Sequence, residues 1–154
     1  MGVLFLIFVL GFVFFLINSS RKNKIEREIA AQNSNNYHSF LANETQHLDC
    51  YLSLSERQEF TEQCLQKATS QLEINCSKYR QSTLKYLDRL NEEFLEREER
   101  RCDHLFSNIL GRSLDKQQRD AVMRDEDYHL IVAGAGAGKT LTIVGKVAYL
   151  CSVK

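Results

Sequence analysis

The sequence predicts an α/β element at the C-terminal end of a chain that is otherwise helical and that opens with a transmembrane helix. Three observations carry this. Residues 129–133 read His-Leu-Ile-Val-Ala, a short β-branched run followed by a glycine-rich turn and an amphipathic stretch. Proline is absent from all 154 residues, which suits long uninterrupted helices in the middle. Residues 1–17 contain no charged side chain.

That first run, MGVLFLIFVLGFVFFLI, would be about 25 Å long as a helix, short for a bilayer core of about 30 Å but workable with residues 18–20 added. A cleaved signal peptide wants a basic start and a small-residue cleavage site, and neither is present. A core helix would carry polar residues on one side, and this run has none. The expectation is a membrane anchor over residues 1–20. Arg21, Lys22, Lys24 and Arg27 follow it. By the positive-inside tendency the N-terminus faces outward and the rest of the chain is cytoplasmic, with the membrane as a partner through residues 1–17.

Residues 21–43 are polar and read as a juxtamembrane linker, partly helical through Ile25 and Ile29. Residues 44–110 read as helical. Leu65, Ala68, Leu72, Cys76, Tyr79, Thr83, Leu87, Leu90 and Phe94 recur in steps of three and four, one stripe of a helix. A coiled coil, or a hairpin of helices packing on a neighbour, explains the stripe equally well, so a helical partner for 44–110 is expected. Glu93/Arg97 and Glu96/Arg100 read as surface pairs at i, i+4.

Composition limits the chemistry. Lys+Arg and Asp+Glu are both 20, so the chain lacks the basic excess of a nucleic-acid-binding domain. The five cysteines, at 50, 64, 76, 102 and 151, form no C-x-x-C pair, which disfavours a zinc site, and their odd number disfavours a closed disulfide framework.

The chemistry lies in residues 111–154. The run Ala133-Gly134-Ala135-Gly136-Ala137-Gly138-Lys139-Thr140 stands between the predicted strand and a helix on which Leu141, Val144, Ala148 and Cys151 share a face, widened by Ile143, Val147 and Leu150. Strand, glycine loop and helix are what a P-loop requires. Phosphates bind backbone N–H groups at a helix N-terminus. Gly134, Gly136 and Gly138 let the backbone approach them without a Cβ, Lys139 supplies a compact cation for the β- and γ-phosphates, and Thr140 offers a hydroxyl to Mg²⁺. These residues bind ATP with Mg²⁺ on this reading, and Lys139 and Thr140 also serve catalysis.

Upstream, Leu114 to Val122 reads as a capped helix start, with Asp115 as N-cap and Gln118 at the capping-box position. Alternatively the Gln118 amide reads adenine, whose N6 and N7 present a complementary donor and acceptor.

The pattern L-D-x-Q-Q-R-x-A-V, a short acidic loop, an apolar strand and A-G-A-G-x-G-K-T resembles the start of UvrD/Rep-type superfamily 1 DNA helicases, most closely the DNA helicase IV branch. The resemblance implies that Gln118 is the adenine-contacting Q motif and that Ala133 to Thr140 is motif I. Ala137 stands where the family often has Ser. The resemblance further implies a RecA-like parallel α/β fold and an ATP-dependent 3′-to-5′ helicase acting on DNA through regions beyond Lys154. The chain as given is expected to hold only the first strand and helix of that domain, and to be inactive alone.

Overall fold

The apolar stripe between Leu65 and Phe94 does not lie on one helix. In the computed structural model it is folded back on itself, which brings its two halves together. The backbone is described for residues 2–153, and the side chains of residues 1–15, 17, 153 and 154 lie outside the described residues. Helix α1 (Gly2–Thr45) is followed by α2 (Leu54–Leu72), a 3₁₀ turn at Ser77–Tyr79, α3 (Arg80–Arg101), the single turn α4 (Asp103–Phe106), α5 (Lys116–Met123) and α6 (Lys139–Val153).

Helix α2 stops because Glu73 takes a left-handed conformation, φ +53°. The Asn75 side chain then accepts from the Ser77 N–H at 3.0 Å and turns the chain into α3. The reversal puts Cys64, Leu65 and Ala68 of α2 against Cys76 and Tyr79, and the last turns of α1 close this core with Tyr37 and Leu41. Tyr37 stacks on Tyr79 with ring centroids 4.4 Å apart, and its hydroxyl meets the Thr83 hydroxyl at 2.6 Å, which satisfies both buried groups. The first part of the stripe, Leu65 to Tyr79, is therefore covered by its own fold-back and by the chain's own α1.

The second half of α3 belongs to another core. Leu95, Cys102, Phe106 and Ile109 pack with Leu114, Val122 and Met123 of the α5 region and with Tyr149 of α6. Helix α3 is the spine shared by both cores. Asn91 holds the α1–α2 connection to it, donating to the Leu52 carbonyl at 2.7 Å and accepting from the Leu52 N–H at 3.0 Å.

The α5–α6 contact depends on Gly145, because a Cβ there would lie 2.8 Å from Leu114 Cδ1. Thr142, Gly145 and Tyr149 are buried, and Leu141, Val144, Ala148 and Leu150 pack against the core. Ile143, Val147 and Cys151 face solvent, so the apolar face is narrower than the periodicity implied and rotated toward Tyr149.

Two expectations are corrected. The described residues are 73% helical and contain no strand, so the α/β class does not describe this fold. Residues 129–133 run outside any ladder, with Leu130 89% and Val132 85% exposed. A strand needs a neighbour with free backbone donors and acceptors, and the elements beside this one are helices that have used theirs internally. No helix of the described residues is long and apolar enough to cross a membrane. Helix α1 does not end after its apolar start. It continues through the basic cluster and the polar stretch expected to be a linker, and it spends its last apolar face on Tyr37 and Leu41. Most of the side chains of residues 1–17, on which the anchor and the outward-facing N-terminus rested, lie outside the described residues.

Candidate nucleotide-binding site

The site forms where α5 and α6 converge. Asp115 caps α5: its carboxylate accepts from the Gln118 N–H at 2.9 Å, and the Gln118 side chain accepts from the Asp115 N–H at 3.0 Å. That reciprocal pair fixes the Gln118 amide at the edge of the helix. Its Nε2 then donates to the Ala137 carbonyl at 3.2 Å, reaching the glycine loop 19 residues away. Each end of the amide keeps one further capacity, an N–H on Nε2 and a lone pair on Oε1.

The loop winds around this contact. Gly136 and Gly138 have φ of +76° and +79°. Gly138 is also pressed against Gln118, where a Cβ would lie 2.5 Å from Nε2. Two independent constraints thus disfavour a side chain at this position. Ala135 and Gly136 form the exposed tip. Lys139 folds back over the loop, and its ammonium donates to the carbonyls of Ala133 and Gly134, each at 2.8 Å. The Gly134 carbonyl also takes the Ala137 N–H at 3.4 Å.

Helix α6 begins at Lys139, and its first backbone bond runs from the Thr142 N–H to the Gly138 carbonyl at 2.9 Å. The amides of Lys139, Thr140 and Leu141 therefore precede the helical ladder and are free for an anion, at the end where the helix dipole favours one. Gly136, Ala137, Gly138, Lys139, Thr140 and Leu141 line an open cavity of about 390 Å³, completed by Leu110 and Arg112. No carboxylate lines it.

Two groups that sequence reasoning did not single out hold this arrangement, and a third lines its cavity. The first is Glu98 on α3, which stands in a densely charged run. It is buried, and it accepts from the Tyr149 hydroxyl of α6 at 2.8 Å and from Arg101 Nε at 2.8 Å. The Arg101 guanidinium holds its carboxyl below the usual range. Burial opposes that shift, and the Tyr149 hydrogen bond adds to it. A signal was present, because Glu98 continues the buried spacing Leu87, Asn91, Leu95 and precedes Cys102. Of the pairs read from sequence, Glu96 and Arg100 lie 3.4 Å apart, whereas Arg97 reaches Asp49 at 2.8 Å instead of Glu93.

The second is the acidic loop ahead of the extended segment. Glu126 accepts from the Leu54 N–H at 2.9 Å, and Asp127 from the Ser55 N–H at 3.1 Å and hydroxyl at 2.8 Å. These carboxylates sit on the N-terminus of α2, which its own Ser53–Glu56 capping box also closes. Tyr51 donates to Glu126, and Arg57 lies 3.5 Å from it. The third group is Arg112, placed in the cavity wall by the turn before α5.

Residues 114–154 match the family model of the UvrD/REP helicase N-terminal domain. This segment is of the UvrD/Rep helicase type. The match begins at Leu114, one residue before the α5 cap, and takes in Gln118 and the whole glycine loop. The UvrD/Rep-type segment thus contains both parts of the site that meet at Ala137. No curated protein and no solved structure matches the chain.

Proposed function

We propose that the UvrD/Rep-type segment binds Mg²⁺-ATP as the nucleotide-binding part of a 3′-to-5′ DNA helicase. The observation that carries the reading is the contact of Gln118 with the loop at Ala137, which joins the two motifs of the family through a hydrogen bond. The residues fit the ligand. The free amides at the start of α6 and the ammonium of Lys139 are matched to phosphate oxygens, and Lys139 exchanges its two carbonyl acceptors for them. Thr140, in the cavity wall, is the residue that would hold Mg²⁺. Bound Mg²⁺ neutralises phosphate charge. The spare donor and acceptor of Gln118 are those an adenine edge pairs with. The cavity at the start of α6 has no carboxylate in its wall, so Lys139 and Thr140 bind and orient there, and the acid that positions water is to be sought elsewhere in the helicase. DNA is the polymer substrate on this reading.

The test is isothermal titration of the full chain with Mg²⁺-ATP, beside Lys139→Ala and Gln118→Ala. Lys139→Ala should weaken binding by more than tenfold, and Gln118→Ala should erode the preference for ATP over GTP. Equal ATP affinity in the Lys139 variant would refute the assignment.

A further inference from the structure

We propose that Arg112 is a phosphate-contacting residue of the nucleotide site, a second cation facing the polyphosphate across the cavity from the glycine loop. The proposal rests on the nucleotide-binding reading above.

Four observations lead there. Arg112 lines the same cavity as Gly136 to Leu141. Among the described residues from Arg57 onward it is the one arginine with no carboxylate within ion-pair distance. From Arg57 onward the chain otherwise spends its guanidinium groups on its own acids, and this one keeps its donors for something else.

Its backbone is also fixed. Ile109 and Arg112 exchange both backbone hydrogen bonds, at 2.7 and 3.0 Å, around a two-residue turn. The flanking Ile109 and Leu114 are buried in the second core, and the Leu114 N–H donates to the Phe106 carbonyl at 2.8 Å. The turn, finally, is strained. Leu110 sits at φ +51°, a conformation L side chains rarely adopt, and is 75% exposed. Nothing about packing an exposed leucine requires that conformation. What the turn achieves is a reversal tight enough to return Arg112 to the cavity wall, and strain that persists in a well-anchored segment points to a site.

A planar guanidinium with free donors, facing a loop built for phosphate, matches phosphate oxygens in geometry and charge. The same group could instead contact the base, or a DNA phosphate, and the experiment separates these.

The full chain is titrated with Mg²⁺-ATP, with AMP and with a single-stranded oligonucleotide, as wild type, Arg112→Ala, Arg112→Lys and Lys139→Ala. Expected is a roughly tenfold rise in the Kd for ATP in Arg112→Ala, the loss of one charge-assisted hydrogen bond. AMP binding should stay within about twofold, and Arg112→Lys should recover part of the loss. If Arg112→Ala also melts earlier, the Lys variant and the ATP-to-AMP ratio within each variant still decide. ATP affinity unchanged in Arg112→Ala but lost in Lys139→Ala overturns this proposal and leaves the P-loop reading standing. Equal losses for ATP and AMP assign Arg112 to the nucleoside and overturn it, as does a loss confined to the oligonucleotide. A wild-type chain that binds no ATP, or a Lys139→Ala variant that binds as well as wild type, removes the nucleotide reading and this one with it.

Discussion

Gly138→Ala measures how tightly Gln118 and the glycine loop are coupled. The new Cβ would sit at φ +79° and 2.5 Å from Gln118 Nε2. Left-handed backbone costs an alanine about 1–2 kcal/mol. The clash itself is relieved cheaply, because Nε2 is the free end of a flexible side chain. Relief has a consequence, however: a displaced amide gives up its bond to the Ala137 carbonyl, worth about 1 kcal/mol. The sum is about 2–3 kcal/mol, of which roughly 1 kcal/mol belongs to the pair. Urea unfolding of the full chain gives each free energy, and a double-mutant cycle with Gln118→Ala isolates the pair. With the amide gone, Gly138→Ala should cost only its backbone strain. An identical cost in both backgrounds would show that Gln118 does not contact the loop in solution.

Two further outcomes follow from the groups that hold α6 and α2. Glu98→Gln should destabilise the chain by about 1.5–3 kcal/mol at neutral pH, since it removes a charged acceptor from Arg101 and Tyr149. The folded carboxyl titrates below its unfolded value, so its contribution is fully present above the unfolded pKa and is lost as pH falls through the folded one. The gap between wild type and Glu98→Gln should therefore narrow on acidification below the ordinary carboxylate range, and a gap independent of pH would contradict the pairing. Asp127→Ala should speed amide exchange at Ser55 in the first turn of α2, read by hydrogen–deuterium exchange, while the middle of α3 is unchanged; unaltered exchange at Ser55 would mean the acidic loop does not cap that helix.

The parts of the site that were legible are those in which one local rule acts. The Asp115–Gln118 box, the turn at Gly136 and Gly138 and the helix after Lys139 each follow from a few adjacent residues. The break in the long stripe was harder to read. The chain has no proline, and the helix stops at Glu73 in a left-handed conformation that glutamate rarely adopts, so the usual punctuation is missing. Glu98 was hidden by its neighbours. In a dense charged run only the spacing to Leu95 and Cys102 marks the inward-facing carboxylate. The docking of Glu126 and Asp127 on α2 joins residues more than 70 positions apart, which no local pattern encodes. The apolar run at 129–133 has strand chemistry, and its conformation depends on a neighbour that periodicity cannot supply.

The second core bears on where this segment could be cut or exchanged. The UvrD/Rep-type match starts at Leu114, but the core that seats α5 and α6 draws Tyr51, Leu95, Cys102, Phe106 and Ile109 from before it. The boundary recognisable in sequence therefore runs through a hydrophobic interior instead of around one. A chain begun at Leu114 would lay bare the undersides of Val122, Met123 and Tyr149 and leave the Tyr149 hydroxyl without its Glu98 acceptor. The helices upstream are part of the floor on which the phosphate loop stands, and a graft of this loop into another scaffold would have to carry them or replace them.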